Sequence, residues 1–191
     1  MFIVKRKLPK IIILVLLLFI AFSLQQFKIL EKIRYPYPYK PLIEKYASEY
    51  SLDPLFVLAV MREESRFKPE SCSPKGALGL MQIMPATARE IAHHLGEEYR
   101  EDILLDPEVN IRYGTWYLAQ LNKQFDGNAV IVLAAYNAGC GRVAKWLQAS
   151  DLGPYLIEDI PFFETREYVK KVLKSYKIYS RLYDEQVYYK E

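Results

Sequence analysis

Hydrophobic positions along this 191-residue chain follow helical rather than strand spacing. One unbroken apolar run covers residues 11–22, and a second apolar stretch, residues 55–61, leaves no polar face. Elsewhere apolar residues return every three or four positions, as on amphipathic helices, and strand-like alternation is almost absent. The pattern predicts an all-α fold behind an apolar N-terminal segment.

Proline, glycine and capping residues divide the body into separate predicted helices. Asp53 and Asp106 each precede a proline, which is the arrangement of a helix N-cap followed by the first helical position. Residues 66–83 contain two prolines and two glycines and are predicted to form a loop. The predicted helices cover residues 54–65, 85–95, 107–125, 127–139, 141–148 and 165–189.

The helix predicted over residues 54–65 ends in two carboxylates, Glu63 and Glu64. Glu64 lies ten residues after Pro54, roughly 15 Å along the helix. A carboxyl group at the rim of an apolar core loses water, which raises its pKa and lets it hold a proton near neutral pH. Taken alone, the stretch fits a solvated glutamate pair better than a general acid, and both interpretations stay open at this point.

The formal net charge of +3 is concentrated at the N-terminus. Residues 1–10 contain four basic and no acidic side chains, which leaves 22 basic and 23 acidic residues in the remainder. The body is therefore nearly neutral, and the basic balance of the whole chain gives no argument for nucleic-acid binding. A hydrophobic fraction of 51% is typical of a globular protein rather than a disordered one.

The basic N-terminus and the apolar run after it are typical of an export signal. We expect an uncleaved transmembrane anchor over residues 1–30, with the basic end in the cytoplasm and the body outside the cell membrane. Cleavage near Ser23 followed by secretion is the alternative. Residues 31–41 hold three prolines and predict an extended spacer, which leaves residues 42–191 as the body.

Two cysteines, Cys72 and Cys140, lie in the part expected to be exported, where a disulfide and two separate thiols are both possible. No zinc-binding spacing is present. His93 and His94 are adjacent and point to different faces of a predicted helix, which argues against a metal site there.

Residues 76–85 combine two glycines with a polar side chain, and packing alone does not require this combination. Their two glycines let the backbone approach a ligand closely. Gln82 offers both a donor and an acceptor, which suits an acetamido or hydroxyl group. The stretch is a candidate ligand-binding loop.

Two further stretches place functional groups at helix ends. Tyr136 and Asn137 lie at the end of a predicted helix, where the tyrosine can pack on a sugar face or donate its hydroxyl. Glu164 lies at the start of the last predicted helix, where the helix dipole favours a carboxylate.

These stretches together resemble the soluble-lytic-transglycosylase (SLT) type of peptidoglycan lytic transglycosylase. The resemblance covers about residues 42–180, and its motifs occur in the order of the family. Each motif alone is weak, but four in the right order make the resemblance specific. The motifs are Glu64-Ser65, Gly79-Leu80-Met81-Gln82, Ala135-Tyr136-Asn137-Ala138-Gly139, and Glu164-Thr165-Arg166 with Tyr168-Val169, with Asp106-Pro107, Asn110 and Gly114 as a fifth element.

The resemblance implies a lysozyme-like α-domain with Glu64 as the catalytic acid, because Glu64 rather than Glu63 precedes the motif serine. It implies that Ser73 hydrogen-bonds near the acid. It also implies that Glu164 is a buried glutamate near the catalytic site, with Tyr168 beside it. The residues implied to hold the glycan in the cleft are Met81, Gln82, Tyr136 and Asn137.

The resemblance further implies the reaction. The substrate is peptidoglycan, cleaved at the β-1,4 bond between N-acetylmuramic acid and N-acetylglucosamine, and the product end is 1,6-anhydro-N-acetylmuramic acid. Glu64 serves as acid and then as base, and no metal or cofactor is needed.

The number of carboxylates separates this reaction from hydrolysis. A retaining glycosidase needs two carboxylates about 5–5.5 Å apart, and the sequence offers no convincing partner for Glu64. Glu70 is a candidate outside the matched motifs. A lysozyme-type hydrolase on the same fold and a non-catalytic, membrane-anchored glycan-binding or assembly protein are the alternatives.

Overall fold

The computed structural model describes residues 10–149 and 156–183, and most of them lie in eight α-helices. The helices are α1 (Lys10–Arg34), α2 (Lys40–Glu49), α3 (Pro54–Ser65), α4 (Pro85–Leu95), α5 (Pro107–Gln124), α6 (Ala129–Ala138), α7 (Cys140–Ala149) and α8 (Phe163–Tyr183). Two short 3-10 helices, Glu101–Leu105 and Ile157–Asp159, precede α5 and α8. The described residues form isolated β-bridges but no strand, which confirms the predicted all-α class.

The chain divides into two compact units, Met1–Pro36 and Tyr37–Glu191. The first unit contains α1, in which Ile12–Arg34 is long and apolar enough to cross a bilayer, and an 18-residue stretch of it has a mean hydropathy of 2.2. A cleaved export signal meets the same test of length and composition. The single-span topology therefore stays a prediction.

The expected extended spacer over residues 31–41 is wrong at both ends. Residues 31–34 continue α1, and residues 40–41 lie in the first turn of α2. Helix-forming side chains run to the end of α1, and the first two prolines of the segment come only after it. The third, Pro41, occupies a first turn, where a missing backbone N–H removes no intrahelical hydrogen bond.

Helix α3 forms over the residues predicted for it. Oδ1 of its N-cap, Asp53, accepts a 2.7 Å hydrogen bond from the backbone N–H of Leu55. Residues 55–61 are all buried, as their lack of a polar face requires. Arg66 ends the helix in a left-handed backbone conformation, φ 53°. Both glutamates are thereby held at the end of a buried helix.

The remaining predicted helices are confirmed, with shifts of a few residues at their ends. Helix α6 begins one residue after its N-cap, Asn128, and α8 begins at Phe163, two residues earlier than expected. The predicted end of α8 near residue 189 lies outside the described residues.

The packing of α8 against α3 and α6 positions the site. Helix α3 packs against α2 and α8, and α6 packs against α5, α7 and α8. Val169, Val172 and Tyr179 of α8 are fully buried in this core. Helix α8 thus contacts both α3, whose last turn carries Glu64, and α6, whose last turn carries Tyr136 and Asn137.

Candidate active site

Glu64 lies on the wall of a cavity of about 350 Å³ near the end of α3. Its Oε1 accepts a 2.7 Å hydrogen bond from the hydroxyl of Tyr168 in α8. Burial raises the pKa of Glu64 to about 7, the hydrogen bond from Tyr168 opposes this shift, and the charge of Glu63 adds to it. Near neutral pH this carboxyl group therefore exists in both protonation states.

Glu63, the neighbouring carboxylate, is held inside the domain. Its side chain is 8% exposed, and its Oε1 accepts a 2.7 Å hydrogen bond from the Ser175 hydroxyl. Arg62 and Arg66 each place a guanidinium nitrogen 3.6 Å from its carboxylate. Successive residues of a helix point to different faces, so Glu63 belongs to an ion-pair cluster and Glu64 to the cavity.

The cavity around Glu64 continues into a second cavity of about 200 Å³. The two share several lining residues and together form one cleft. The residues lining both parts are Gln82, Met84, Tyr136, Asn137 and Ala138. The residues lining only the first part are Glu64, Ser73, Lys75, Ala77, Arg142, Phe162, Phe163, Glu164 and Thr165.

Gln82 lies in the cleft with its amide nitrogen already occupied. The nitrogen donates to the backbone carbonyls of Gly79 and Ser71, at 2.9 and 3.1 Å. The residue adopts a left-handed backbone conformation, φ 49°, and both bonds hold its side chain against the loop. The amide oxygen accepts no hydrogen bond from any described residue, so it is the group left for a ligand.

Met81, expected among the residues that hold the glycan, lies in the core and does not line either part of the cleft. Met81 is 0% exposed, because its side chain packs against α5 where Gly114 leaves room for it. Its backbone N–H donates to Oδ1 of Asn110 at 2.7 Å, and its carbonyl accepts from the Tyr136 hydroxyl at 2.9 Å. Met81 therefore fixes the loop beside the cleft instead of lining it.

Asn110 holds this loop from the side of α5. It is fully buried, and its Nδ2 donates to the carbonyls of Leu78 and Leu104, at 3.0 and 2.8 Å. A Cβ atom on Gly79 would lie 2.1 Å from the same Nδ2, and Gly79 has φ +78°, so the position requires glycine. Asn110 and the lack of a side chain at Gly79 together hold the loop against α5.

Tyr136 and Asn137 line both parts of the cleft, as expected of cleft residues. Burial, with the nearby Glu64 carboxylate, raises the pKa of Tyr136 well above 10, so its hydroxyl stays a donor and is used on Met81. Oδ1 of Asn137 accepts a 2.9 Å hydrogen bond from the Thr165 hydroxyl. That bond fixes the end of α6 against the start of α8.

Ser73 lines the cavity at a tight turn, where its hydroxyl oxygen accepts from the backbone N–H of Ala77 at 2.9 Å. Glu164 also lines the cavity, but the expectation that it is buried is wrong. Its side chain is 77% exposed and lies 3.7 Å from the ammonium group of Lys75. Glu164 lies in the first turn of α8, where a carboxylate can stay in water and still meet the helix dipole.

Sequence reasoning missed several lining residues, among them Lys75, Arg142, Phe162 and Phe163. The two phenylalanines are 48% and 73% exposed. A pair of large apolar residues directly after a proline, at the start of a helix, is the one sequence signal that could have identified this rim.

Cys72 and Cys140 are free thiols in the structure. The described residues contain no group of three or more histidine, cysteine, aspartate or glutamate side chains arranged for a metal ion.

The described domain is thus helical and places one part-buried, proton-holding glutamate in a polar cleft. The chain belongs to the transglycosylase SLT domain family, which matches residues 41–153. Relatives include the soluble lytic murein transglycosylase of Escherichia coli K12, 42% identical over 156 residues. Another is the membrane-bound lytic murein transglycosylase C of Actinobacillus pleuropneumoniae, 33% identical over 165 residues.

The similarity covers most of this chain and a minor part of its relatives. It includes 78% of this chain but 24% of the E. coli protein, and 74% of this chain but 45% of the A. pleuropneumoniae protein. This chain therefore corresponds to one region of larger proteins.

Solved structures give the same fold. The 70-kDa soluble lytic transglycosylase Slt70 of E. coli superposes with a TM-score of 0.75 at 41% identity, over 79% of this chain and 25% of that one. An inactive glutamate-to-glutamine mutant of lytic transglycosylase Slt from Pseudomonas aeruginosa superposes with a TM-score of 0.73 at 40% identity, over 78% and 25% of the two chains. The 70-kDa enzyme has also been solved in complex with bulgecin A. The expected lysozyme-like SLT fold is confirmed.

Proposed function

We propose that this protein is a peptidoglycan lytic transglycosylase that uses Glu64 as acid and then as base. The observation that carries the proposal is the environment of Glu64, which lines the cleft, is part-buried and has a pKa of about 7. A group with this pKa can give up a proton and take one back at neutral pH with little free-energy difference between the two states. Family membership and the names of the relatives support the same reaction.

The proposed reaction begins with proton transfer from Glu64 to the glycosidic oxygen between N-acetylmuramic acid and N-acetylglucosamine. As the C1–O bond breaks, the N-acetylglucosamine hydroxyl leaves, and the 2-acetamido group of the muramic acid stabilises the positive charge developing at C1. Glu64, now ionised, takes the proton of the C6 hydroxyl, and O6 bonds to C1. The products are a 1,6-anhydro end and a regenerated acid, with no water consumed. The attack is intramolecular, so the cleft contributes mainly by orienting the sugar.

The positions of the other carboxylates favour this route over hydrolysis. Among the described residues that line the first cavity, the carboxylates are Glu64 and Glu164. Glu164 is 77% exposed and lies 3.7 Å from the ammonium group of Lys75, so its carboxylate is already engaged by a cation at the rim of the cavity. Glu70, the candidate considered from sequence, is not among the lining residues.

We assign substrate-binding roles to the groups that the cleft leaves accessible. The amide oxygen of Gln82 is placed to accept from a sugar hydroxyl or acetamido N–H, and the ring of Tyr136 offers an apolar face to a sugar. Asn137 and Ser73 lie on the same walls. Tyr168 acts on Glu64 rather than on the sugar, since its hydroxyl is committed to Oε1.

We further propose that α1 anchors the protein in the cell membrane by a single span, with residues 42–191 as an extracytoplasmic catalytic domain. The length and hydropathy of α1 and the membrane-bound relative support this location. The test is fractionation after an alkaline carbonate wash, combined with N-terminal sequencing of the mature protein. An integral membrane fraction with residues 11–22 retained is the expected result, and a mature N-terminus just after Ser23 would show that the segment is a cleaved signal.

The activity is tested by mass spectrometry of the muropeptides that the 191-residue chain, solubilised in detergent, releases from purified peptidoglycan. Products ending in 1,6-anhydro-N-acetylmuramic acid, lighter by one water than hydrolysed ends, are expected. Reducing N-acetylmuramic acid ends would instead establish the hydrolase, and Glu164→Gln would then be the first variant to make. Glycan binding without any product would establish the non-catalytic alternative.

A further inference from the structure

The two ends of the cleft differ in charge. The end beyond Gln82 and Asn137 is lined by uncharged residues, among them Thr87 and Tyr117. The other end, next to Glu64, is lined by two cations, Lys75 and Arg142. Glycan sugars are recognised mainly through hydroxyl and amide groups, so the cations at one end call for a different kind of ligand group.

Arg142 is held over an aromatic surface. It is the third residue of α7, and its guanidinium carbon lies 5.6 Å from the centre of the Phe162 ring. That ring packs in turn on Trp146, with ring centres 5.3 Å apart. Arg142 makes no ion pair within the described residues. Its charge is therefore positioned by the rings and left available to an anion.

Lys75 faces the same rim from a closed turn. The turn is fixed by hydrogen bonds of 2.9 Å between Ser73 and Ala77 and by Gly76, which has φ +84°. The ammonium group lies 3.7 Å from Glu164, and the two side chains are 79% and 77% exposed. Exposed pairs of this kind contribute little net stability, so a carboxylate from a ligand can replace Glu164 readily.

We propose that Lys75 and Arg142 bind the carboxylates of the peptide that N-acetylmuramic acid carries, making this end of the cleft a peptide-binding subsite. The inference rests on the proposed function, because it takes peptidoglycan as the substrate. In peptide-bearing glycan the lactyl group is tied up in an amide bond, so the anionic groups within reach of the cleft belong to the peptide. The exposed rings of Phe162 and Phe163 provide an apolar surface for its alanine methyl groups.

The proposal predicts opposite effects for the two members of the Lys75 pair. Removing the charge of Lys75 weakens binding of an anionic peptide. Removing the charge of Glu164 strengthens it, because Glu164 competes with the ligand for the same ammonium group. A residue that only supports the fold would not produce this reversal of sign.

The test compares two peptidoglycan fragments that differ only in the peptide carboxylates, which are free in one and converted to amides in the other. The proteins are the detergent-solubilised wild-type chain and its Lys75→Gln, Arg142→Gln and Glu164→Gln variants. Lys145→Gln is the matched control, since Lys145 is an exposed cation of the same helix as Arg142 and does not line the cleft. The quantity compared is the ratio of kcat/KM for the free-carboxylate fragment to that for the amidated one.

We expect a wild-type ratio of about tenfold, which corresponds to two exposed charge contacts of about threefold each. Lys75→Gln and Arg142→Gln should each lower the ratio about threefold, Glu164→Gln should raise it, and Lys145→Gln should leave it as in the wild type. A wild-type ratio near one overturns the proposal. So does an equal loss on both fragments in the two cation variants, because that pattern indicates a structural role.

Calorimetric binding of the same two fragments to Glu64→Gln separates this inference from the proposed function. Tighter binding of the free-carboxylate fragment supports the subsite. If the wild-type chain at the same time forms no 1,6-anhydro ends, only the proposed reaction is overturned. Formation of 1,6-anhydro ends from both fragments at equal rates, with equal binding, overturns the subsite and leaves the reaction in place.

Discussion

The hydroxyl of Tyr168 donates a 2.7 Å hydrogen bond to Oε1 of Glu64 and joins α8 to the end of α3. Burial favours the neutral form of this carboxyl group, and the hydrogen bond favours its ionised form. The pKa of about 7 is the balance of these two effects with the charge of Glu63. Each contribution can be changed by a single substitution.

Tyr168→Phe removes the one contribution that lowers the pKa of Glu64. We expect the basic limb of the pH profile of kcat/KM, where the acid loses its proton, to move upward by about half a pH unit to one unit. Tyr176→Phe is the matched control, because its hydroxyl donates to Asp53 at 2.5 Å and not to Glu64. A profile that moves downward, or one that moves equally in both variants, would contradict this account.

Glu64→Gln and Glu63→Gln separate the roles of the two adjacent glutamates. Glutamine at position 64 cannot donate a proton as an acid, and we expect turnover to fall by about 10²-fold to 10⁴-fold with the fold intact. Glutamine at position 63 weakens the ion pairs with Arg62 and Arg66, so it should lower stability by about 1 to 3 kcal/mol and keep turnover. Muropeptide release and circular dichroism measure both effects. The reverse pattern would assign the acid to Glu63.

Glu64→Gln should also stabilise the folded domain at high pH. The folded-state pKa of about 7 lies above the ordinary value of 4.5, so the unfolded chain loses its proton first and stability falls as pH rises from 4.5 to 7. Above this window the wild-type domain carries the full penalty of a desolvated carboxylate. We expect the variant to exceed it by about 1 to 3 kcal/mol at pH 8, after allowance for partial exposure, and to match it at pH 4. Urea unfolding at the two pH values checks this, and equal differences at both would contradict it.

Gly114→Ala should destabilise the loop beside the cleft. A Cβ atom there would lie 2.4 Å from the sulfur and 2.7 Å from the Cβ of Met81, so the Met81 segment must shift. We expect a loss of about 1 to 3 kcal/mol in the free energy of unfolding, together with reduced activity, because the Tyr136 hydroxyl bonds to the Met81 carbonyl. Gly141→Ala, also in a helix but with nothing within 4 Å of its Cβ, should instead stabilise by about 0.5 to 1 kcal/mol. Thermal unfolding measures the change in stability of both variants, and a change of the same sign in both would contradict this explanation.

Asn110→Ala should be more damaging than an ordinary asparagine substitution. It removes the partner of the Met81 N–H and of the Leu104 carbonyl, while the Leu78 carbonyl keeps its hydrogen bond from the Ile83 N–H, and we expect a loss of about 2 to 4 kcal/mol. Asn128→Ala provides the comparison, because it removes only the N-cap of α6, at about 1 kcal/mol. Equal losses in denaturant unfolding would mean that Asn110 does not hold the loop.

The helices could be predicted because their signals are local. Asp53 and Asp106 precede prolines and accept hydrogen bonds from backbone N–H groups in the first turns of α3 and α5, as their positions in the sequence indicated. The location of Glu64 at the end of a buried helix followed from the same local pattern. The spacer was misjudged because a proline in a first turn is compatible with a helix, and a count of prolines does not reveal which turn each one occupies.

Contacts between distant segments set the limit of prediction for the site. Whether Met81 faces the cleft or the core depends on the space left by Gly114, and whether Glu164 is buried depends on how α8 begins beside the loop of Lys75. The aromatic support of Arg142 joins α7 to the segment before α8. No spacing rule within one segment encodes such pairings, because each depends on tertiary packing.

The bond between Glu64 and Tyr168 also orders events during synthesis, because 104 positions separate its two ends. Glu64 emerges from the ribosome long before α8, the helix that supplies its hydrogen-bond partner. Until α8 packs, the cleft lacks the wall that α8 contributes, and Glu64 lacks the hydrogen bond from Tyr168. A nascent chain therefore carries Glu64 without its hydrogen-bond partner, and the cleft is completed only after α8 has been translated.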